Sequence, residues 1–256
     1  MKNYIFITIL ATLFVSRSFA ADFSLSAGAG GLFGYNFTRY SLEAQGNLSA
    51  GGPPTSSFHS VQSMDRFNFG GFIFFDATYA VFSVMFQSKI SSWVESVDVT
   101  PQSMPLYRMT DNNGHGSEMS IGLSLMGKYP FTVNQRITWF PMFGVEYHFA
   151  LRQWRRIGGV VYDRTQGGLP EDRDADGNPY PLSAWNSFWI NVGAGLDFAL
   201  SGPMFLRTEL LFGFRLQTAY ETGALEMTKS MFNAPDPRMS GLTGGPTLRI
   251  SLGYRF

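Results

Sequence analysis

The sequence predicts an all-β fold, an eight-stranded antiparallel up-and-down transmembrane β-barrel, and three observations carry that reading. Large apolar side chains alternate with small or polar ones along most of the chain, the apolar parity is almost uncharged, and short breaks alternate with long polar ones. Period two is the signature of a strand. A charged side chain on a lipid-facing strand position costs about 2–4 kcal/mol at the midplane, so a parity kept clear of charge in strand after strand fits contact with lipid. A soluble barrel would bury its apolar parity and scatter charge over its outside.

The chain opens with Lys2, an apolar run from Tyr4 to Val15 and the small-residue ending Ser18-Phe19-Ala20. This is the pattern of a secretory signal peptide over 1–20, leaving 21–256 as the barrel domain. The apolar run falls short of the roughly 20 residues a spanning helix requires.

Alternation then starts. Phe23, Leu25, Ala27, Ala29, Phe33, Tyr35 and Phe37 share one parity, and Ser24, Ser26, Gly28, Gly30, Gly34 and Asn36 the other. Phe67, Phe69, Ile73 and Phe75 oppose Asn68, Gly70 and Asp76, and Phe82, Val84, Phe86 and Ile90 oppose Ser83, Gln87 and Lys89. The same reading holds for Met119–Tyr129, Ile137–Phe149, Phe188–Phe198, Leu206–Arg215 and Leu248–Phe256. Eight long strands, an even number, suit a closed antiparallel barrel.

Tight turns are expected at Asp76-Ala77-Thr78, Tyr129-Pro130-Phe131 and Ser201-Gly202-Pro203, and long loops near 41–63, 91–117, 152–186 and 217–243. Short turns on the periplasmic side and long outer loops are the habit of membrane barrels. Pairing Leu200 with Met204 across the Ser201–Pro203 turn sets Asp197 opposite Arg207 on the lumen parity of the sixth and seventh strands, where opposite charges stabilise a cross-strand pair. Aromatic residues gather at strand ends. Tyr35, Phe37, Tyr147, Phe149, Trp185 and Phe188 are expected at the outer boundary, and Phe75, Tyr79, Tyr129, Phe131 and Phe256 at the inner one.

Composition narrows the function. The 256 residues are 16% aromatic and 15% charged, with Lys+Arg 19 balancing Asp+Glu 19. Disorder requires few aromatics and high net charge, and a nucleic-acid binder carries a basic patch. With Cys 0 there is no disulfide framework, thiolate metal site or cysteine nucleophile.

The alternation of Leu248, Ile250, Leu252 and Tyr254 up to Phe256 resembles the C-terminal signal by which the barrel assembly machinery recognises bacterial outer-membrane barrels, with Leu252, Tyr254 and Phe256 as its core. The whole chain from residue 21 resembles the small eight-stranded barrels of the OmpW, OmpX and OmpA-barrel type. Gly127-Lys128-Tyr129-Pro130-Phe131 followed by Gly144-Val145-Glu146-Tyr147 is similar to a pattern of spirochaetal, treponeme-like barrels. The resemblance implies a bacterial outer-membrane location and lipid as the surrounding partner. OmpW-type barrels are thought to pass small hydrophobic molecules, so it also implies a porin-like conduit for hydrophobic or amphipathic solutes. The alternative is a non-conducting scaffold whose surface loops bind host or other ligands.

Candidate sites divide between lumen and loops. Lys89, Arg136, Glu146, Arg207, Glu209, Arg215 and Arg249, with Asp197, are expected to face the lumen, either as a selectivity filter or as charges that pair and plug it. Phe72, Phe74, Met85, Met126, Phe140, Met142, Trp189 and Phe205 are expected to give it an apolar lining. In the third long loop Asp172, Asp174 and Asp176 precede Gly177, like the first half of a calcium loop, but Ser183 stands where the closing acid belongs. No other cofactor is expected. His148 beside Glu146 would be the one general-base candidate, and without a G-x-S-x-G elbow an enzyme is not expected.

Overall fold

The computed structural model describes residues 24–46, 56–100, 112–157, 160–163, 178–179, 181–216, 218 and 237–256. The expected signal peptide lies outside the described residues. Ten strands follow one another: β1 (Leu25–Gly46), β2 (Ser56–Ala77), β3 (Ala80–Thr100), β4 (Asn112–Lys128), β5 (Phe131–Thr132), β6 (Ile137–Ile157), β7 (Val160–Asp163), β8 (Ser187–Ala199), β9 (Met204–Arg215) and β10 (Arg238–Arg255). Eight of them are long, and each pairs antiparallel with its neighbours in the order β4-β3-β2-β1-β10-β9-β8-β6, which the β4–β6 pairing closes into a ring. Short β5 and β7 fold back on β6 at its two ends.

The register fixes the barrel's dimensions. Stepping once round the wall from Gly28 leads through Phe74, Ser83, Ser124, Glu146, Trp189, Arg215 and Thr243 back to β1 at Thr38, ten residues further up the strand. With eight strands about 4.8 Å apart and about 3.3 Å per residue, that shear tilts the strands by roughly 41° and gives a backbone radius of about 8 Å. Such a cylinder has room for side chains and little else.

Alternation decides what enters it. The outward row is apolar and carries no charge from Leu25 to Phe37 on β1 or from Ala77 to Phe67 on β2. Ile73, Phe143 and Leu210 are about 60% exposed with nothing of the protein to cover them. Arg39 and Asp65 are the first outward charges above this band and pair at 3.0 Å, with the Tyr35 hydroxyl donating to Asp65 at 2.8 Å. They mark the upper water boundary. Aromatic contacts line both rims, Tyr129, Phe131 and Trp139 below, with the last two stacked, and Tyr147 edge-on to Phe149 above. Trp185, expected in the upper girdle, instead lies in a 3-10 turn (Leu182–Trp185) that folds into the mouth and packs against Ala150.

Two expectations about connections need correction. The β2–β3 turn is Thr78-Tyr79, not Asp76-Ala77-Thr78, with Thr78 at φ 38° and its hydroxyl accepting the Ser24 N–H. Tyr129-Pro130-Phe131 is no turn either, because β5 runs on and the reversal occurs at Asn134–Arg136. Ser201–Pro203 turns as expected, Gly202 supplying the positive φ of 59° that side chains resist. The expected long loops also begin too early, since β1, β2, β3 and β4 continue to Gly46, Ser56, Thr100 and Asn112. There the strands have left the lipid and neither parity is kept apolar, Leu42 and Trp93 on the inner face and Val61 and Val94 on the outer standing among polar residues, so the hydrophobic period fades while the backbone ladder continues. At roughly 41° of tilt, the 22 residues of β1 climb about 55 Å against an apolar band of about 25 Å, and roughly half the strand stands beyond the membrane.

Candidate functional site

Among the described residues, charge is concentrated out of water in the lumen. Five buried cations (Lys89, Lys128, Arg155, Arg207, Arg249) meet five buried anions (Asp76, Glu118, Glu146, Asp197, Glu209) among the described residues. Their side chains enter because each sits on the inward parity of its strand, even on β2, β4 and the lower part of β6 and odd on β3, β8, β9 and β10, or, on β6 above Leu151, because a bulge opposite Met119/Ser120 moves the inward positions to Gln153 and Arg155.

At the inner end Arg207 is the hub. Its Nε and Nη2 donate to the two Asp197 oxygens at 2.6 and 2.8 Å, in the in-register pair Asp197↔Arg207. Nη2 also donates to Asp76 across the barrel at 2.5 Å, and Lys128 Nζ donates to the same oxygen at 2.5 Å. Phe74, Phe140 and Phe205 surround the guanidinium at 4.9–5.1 Å, so a bidentate pair sits inside an aromatic cage.

The charges continue upward in alternating sign. Glu209 lies 4.0 Å from Arg207 and 3.8 Å from Arg249. Arg249 pairs with Glu146 across the barrel, Glu146 meets His148 Nε2 at 3.2 Å, and His148 Nδ1 lies 3.4 Å from Lys89 Nζ. Lys89 donates to Glu118 at 2.6 Å, and Gln153 and Arg66 close on Glu118 at 2.9 and 3.9 Å. Above them the Arg155 guanidinium lies 4.0 Å over the Trp93 ring. One contiguous ladder of ions therefore climbs from Asp76 and Lys128 to Arg66.

Apolar side chains fill the spaces between. Phe72, Phe74, Met85, Met126, Phe140, Met142 and Phe205 form one buried cluster, joined by Leu32, Val81 and Leu211. A cavity of about 20 Å³ remains beside Glu146, Arg249, Asn68 and Asn191, enough for one water.

Of the residues expected in the lumen, Asp197, Arg207, Glu146, Glu209, Arg249 and Lys89 lie in this ladder. Arg215 lies on the inward parity of β9 and donates to Thr243 Oγ1 at 3.3 Å. Arg136 is exposed in the inner turn, a correction that follows from β6 starting at Ile137. Asp76, Lys128 and Glu118 were not named among the expected lumen charges, although the alternation sets Asp76 and Lys128 on the polar parity and Glu118 shares that of Ser120. Leu252, Tyr254 and Phe256 face outward at the inner rim. Asp172, Asp174 and Asp176 lie outside the described residues, and among the described residues no acidic or histidine cluster gathers as a metal site. His148 is held between Glu146 and Lys89, which fixes the ring rather than presenting it to a substrate.

No protein-family model and no curated protein matches the chain. Among solved structures it is similar to the outer-membrane protein OprG of Pseudomonas aeruginosa, 10% identical over 90% of this chain and 97% of that one, with a TM-score of 0.36. It is also similar to neisserial surface protein A, 11% identical over 90% and 99%, TM-score 0.35. The N-terminal β-barrel domain of OprF of Pseudomonas aeruginosa gives 10% identity over 90% and 99%, TM-score 0.35. By its own strand order, register and chargeless lipid-facing band, the chain is a small, eight-stranded, membrane-spanning β-barrel.

Proposed function

We propose that the protein is an integral outer-membrane barrel of a bacterial envelope, sealed along its axis, whose work is done by the strands and loops it holds above the membrane. The observation that carries this reading is the ion ladder. A conducting pore needs a continuous aqueous path, whereas this lumen is occupied from end to end by paired charges and the apolar cluster between them. Breaking one buried pair costs about 3–5 kcal/mol, which makes the closed arrangement the resting one. The tall β1–β4 wall supports display of ligand-binding surface beyond the lipid, and host or other surface ligands are its proposed partners. The outward Leu252, Tyr254 and Phe256 support recognition by the barrel assembly machinery.

A second reading, an OmpW-like conduit for small hydrophobic solutes, is favoured by one feature. Between Gly34↔Thr247 and Phe37↔Gly244 the β1–β10 ladder is interrupted, with Tyr35 and Asn36 on β1 facing Gly245 and Pro246 on β10. A sideways passage needs no axial pore. Single-channel recording and hydrophobic-solute uptake by reconstituted barrels separate the readings: neither conductance nor uptake for the sealed scaffold, uptake without conductance for the sideways conduit. Steady unitary conductance from the wild type refutes the sealed axis.

A further inference from the structure

The interruption in the β1–β10 seam also shapes the exterior. Pro246 has no N–H to offer the ladder, and a Cβ on Gly245 would overlap the Tyr35 carbonyl oxygen. On the outside this leaves a groove of about 360 Å³ walled by Phe33, Tyr35, Phe67, Leu210, Pro246 and Leu248. The Tyr35 and Phe67 rings stand 5.3 Å apart and give it a stiff aromatic edge. Asn68 borders both this groove and the small lumen cavity behind it.

Position decides the occupant. The Tyr35–Asp65–Arg39 cluster at 2.8 and 3.0 Å sits at the upper end of the groove and marks the water boundary, so the groove opens into hydrocarbon immediately below it. Water finds almost no polar partner on these walls. A second copy fits poorly, because a two-fold contact sets the same concave patch against itself and enlarges the void. A flexible hydrocarbon chain fits the shape, and bilayer is what faces it.

We propose that the groove is a lipid-chain site, holding one acyl chain of an outer-leaflet lipid that covers the interrupted stretch of the β1–β10 ladder. The bound chain packs on rigid side chains instead of mobile neighbours, so it exchanges more slowly than lipid elsewhere on the exterior. The site stands whether the barrel is a scaffold or a sideways conduit.

Barrels reconstituted with phosphatidylglycerol, extracted in mild detergent and examined by native mass spectrometry test it. Wild type is expected to keep one lipid. Leu210→Trp with Leu248→Trp, cross-strand partners that fill the groove, should lower retention at least about tenfold, while Leu123→Trp with Leu125→Trp on β4 should not. Photo-crosslinking wild type with a diazirine-bearing acyl chain needs no variant, and its adducts should concentrate on the groove residues. Loss of lipid from wild type, equal retention by both variants, adducts spread evenly over the exterior, or a dimer joined through this face would each overturn the proposal.

Discussion

Arg207→Met isolates the energetics of the ladder. The substitution keeps an unbranched side chain of similar length inside the Phe74, Phe140 and Phe205 cage but removes two hydrogen bonds to Asp197 and one to Asp76. Asp76 keeps Lys128 at 2.5 Å. Asp197 keeps the ion pair with Arg255, 4.0 Å away and half exposed, and loses both of its short hydrogen bonds, so it becomes the buried charge without adequate compensation. Removing one partner of such a pair costs about 3–5 kcal/mol, or roughly 150- to 4,000-fold in the unfolding equilibrium. Replacing both members by apolar residues is often close to neutral, so Arg207→Met with Asp197→Leu should regain most of the loss. Urea unfolding in lipid vesicles, followed by tryptophan fluorescence and heat-modifiable gel mobility, gives the four corners of the cycle. A single variant within about 1 kcal/mol of wild type, or a double variant no better than the single, would refute the claim that this pair holds the inner end of the lumen.

Other expectations follow from the two faces. The barrel should fold only in detergent or lipid and migrate differently on gels before and after heating, and a stable soluble monomer in plain buffer would contradict its exterior. Phe143→Arg, in the lipid-facing band, should cost about 2–4 kcal/mol, whereas Ser63→Arg, above the Arg39–Asp65 boundary, should cost under about 1, as read by the same unfolding assay. Glu118→Leu should destabilise more than Glu43→Leu because Glu118 is buried against Lys89, Arg66 and Gln153 while Glu43 is exposed. If Asp172, Asp174 and Asp176 hold calcium, millimolar calcium should protect their loop from protease in wild type and not in Asp174→Ala with Asp176→Ala; equal protection makes the run a solvated acidic surface.

What could be read beforehand was parity. Inside the lipid, period two states which way each side chain faces, and it places Asp197, Arg207, Glu146, Glu209 and Arg249 in the lumen because charge has nowhere else to go. Partners across the barrel were not legible. Arg249 meets Glu146 and Arg207 meets Asp76 between strands that are not neighbours, and the height at which residues meet depends on the shear, which accumulates over every register in the ring. A turn placed early, as at Asp76, turns an interior anion into an apparent loop residue. Beyond the boundary at Arg39 and Asp65 both faces are wetted, so Ser56–Met64 and Ser91–Thr100 read as loop although their backbones stay in the ladder. The dent at Pro246 required the register as well, since a proline and two glycines near a strand's middle do not say what lies opposite them.

A sealed lumen is the central claim, and a single cysteine tests it most directly, since the chain has Cys 0 of its own. Ser124 points inward on β4 and is 1% exposed, while His115 on the same strand faces outward above the membrane. With the protein reconstituted in vesicles, Ser124→Cys should resist a charged, membrane-impermeant thiol reagent until the barrel is unfolded, and His115→Cys should react at once. Labelling of folded Ser124→Cys at a rate near that of His115→Cys would mean that an aqueous path reaches mid-barrel, and the sealed account would be wrong.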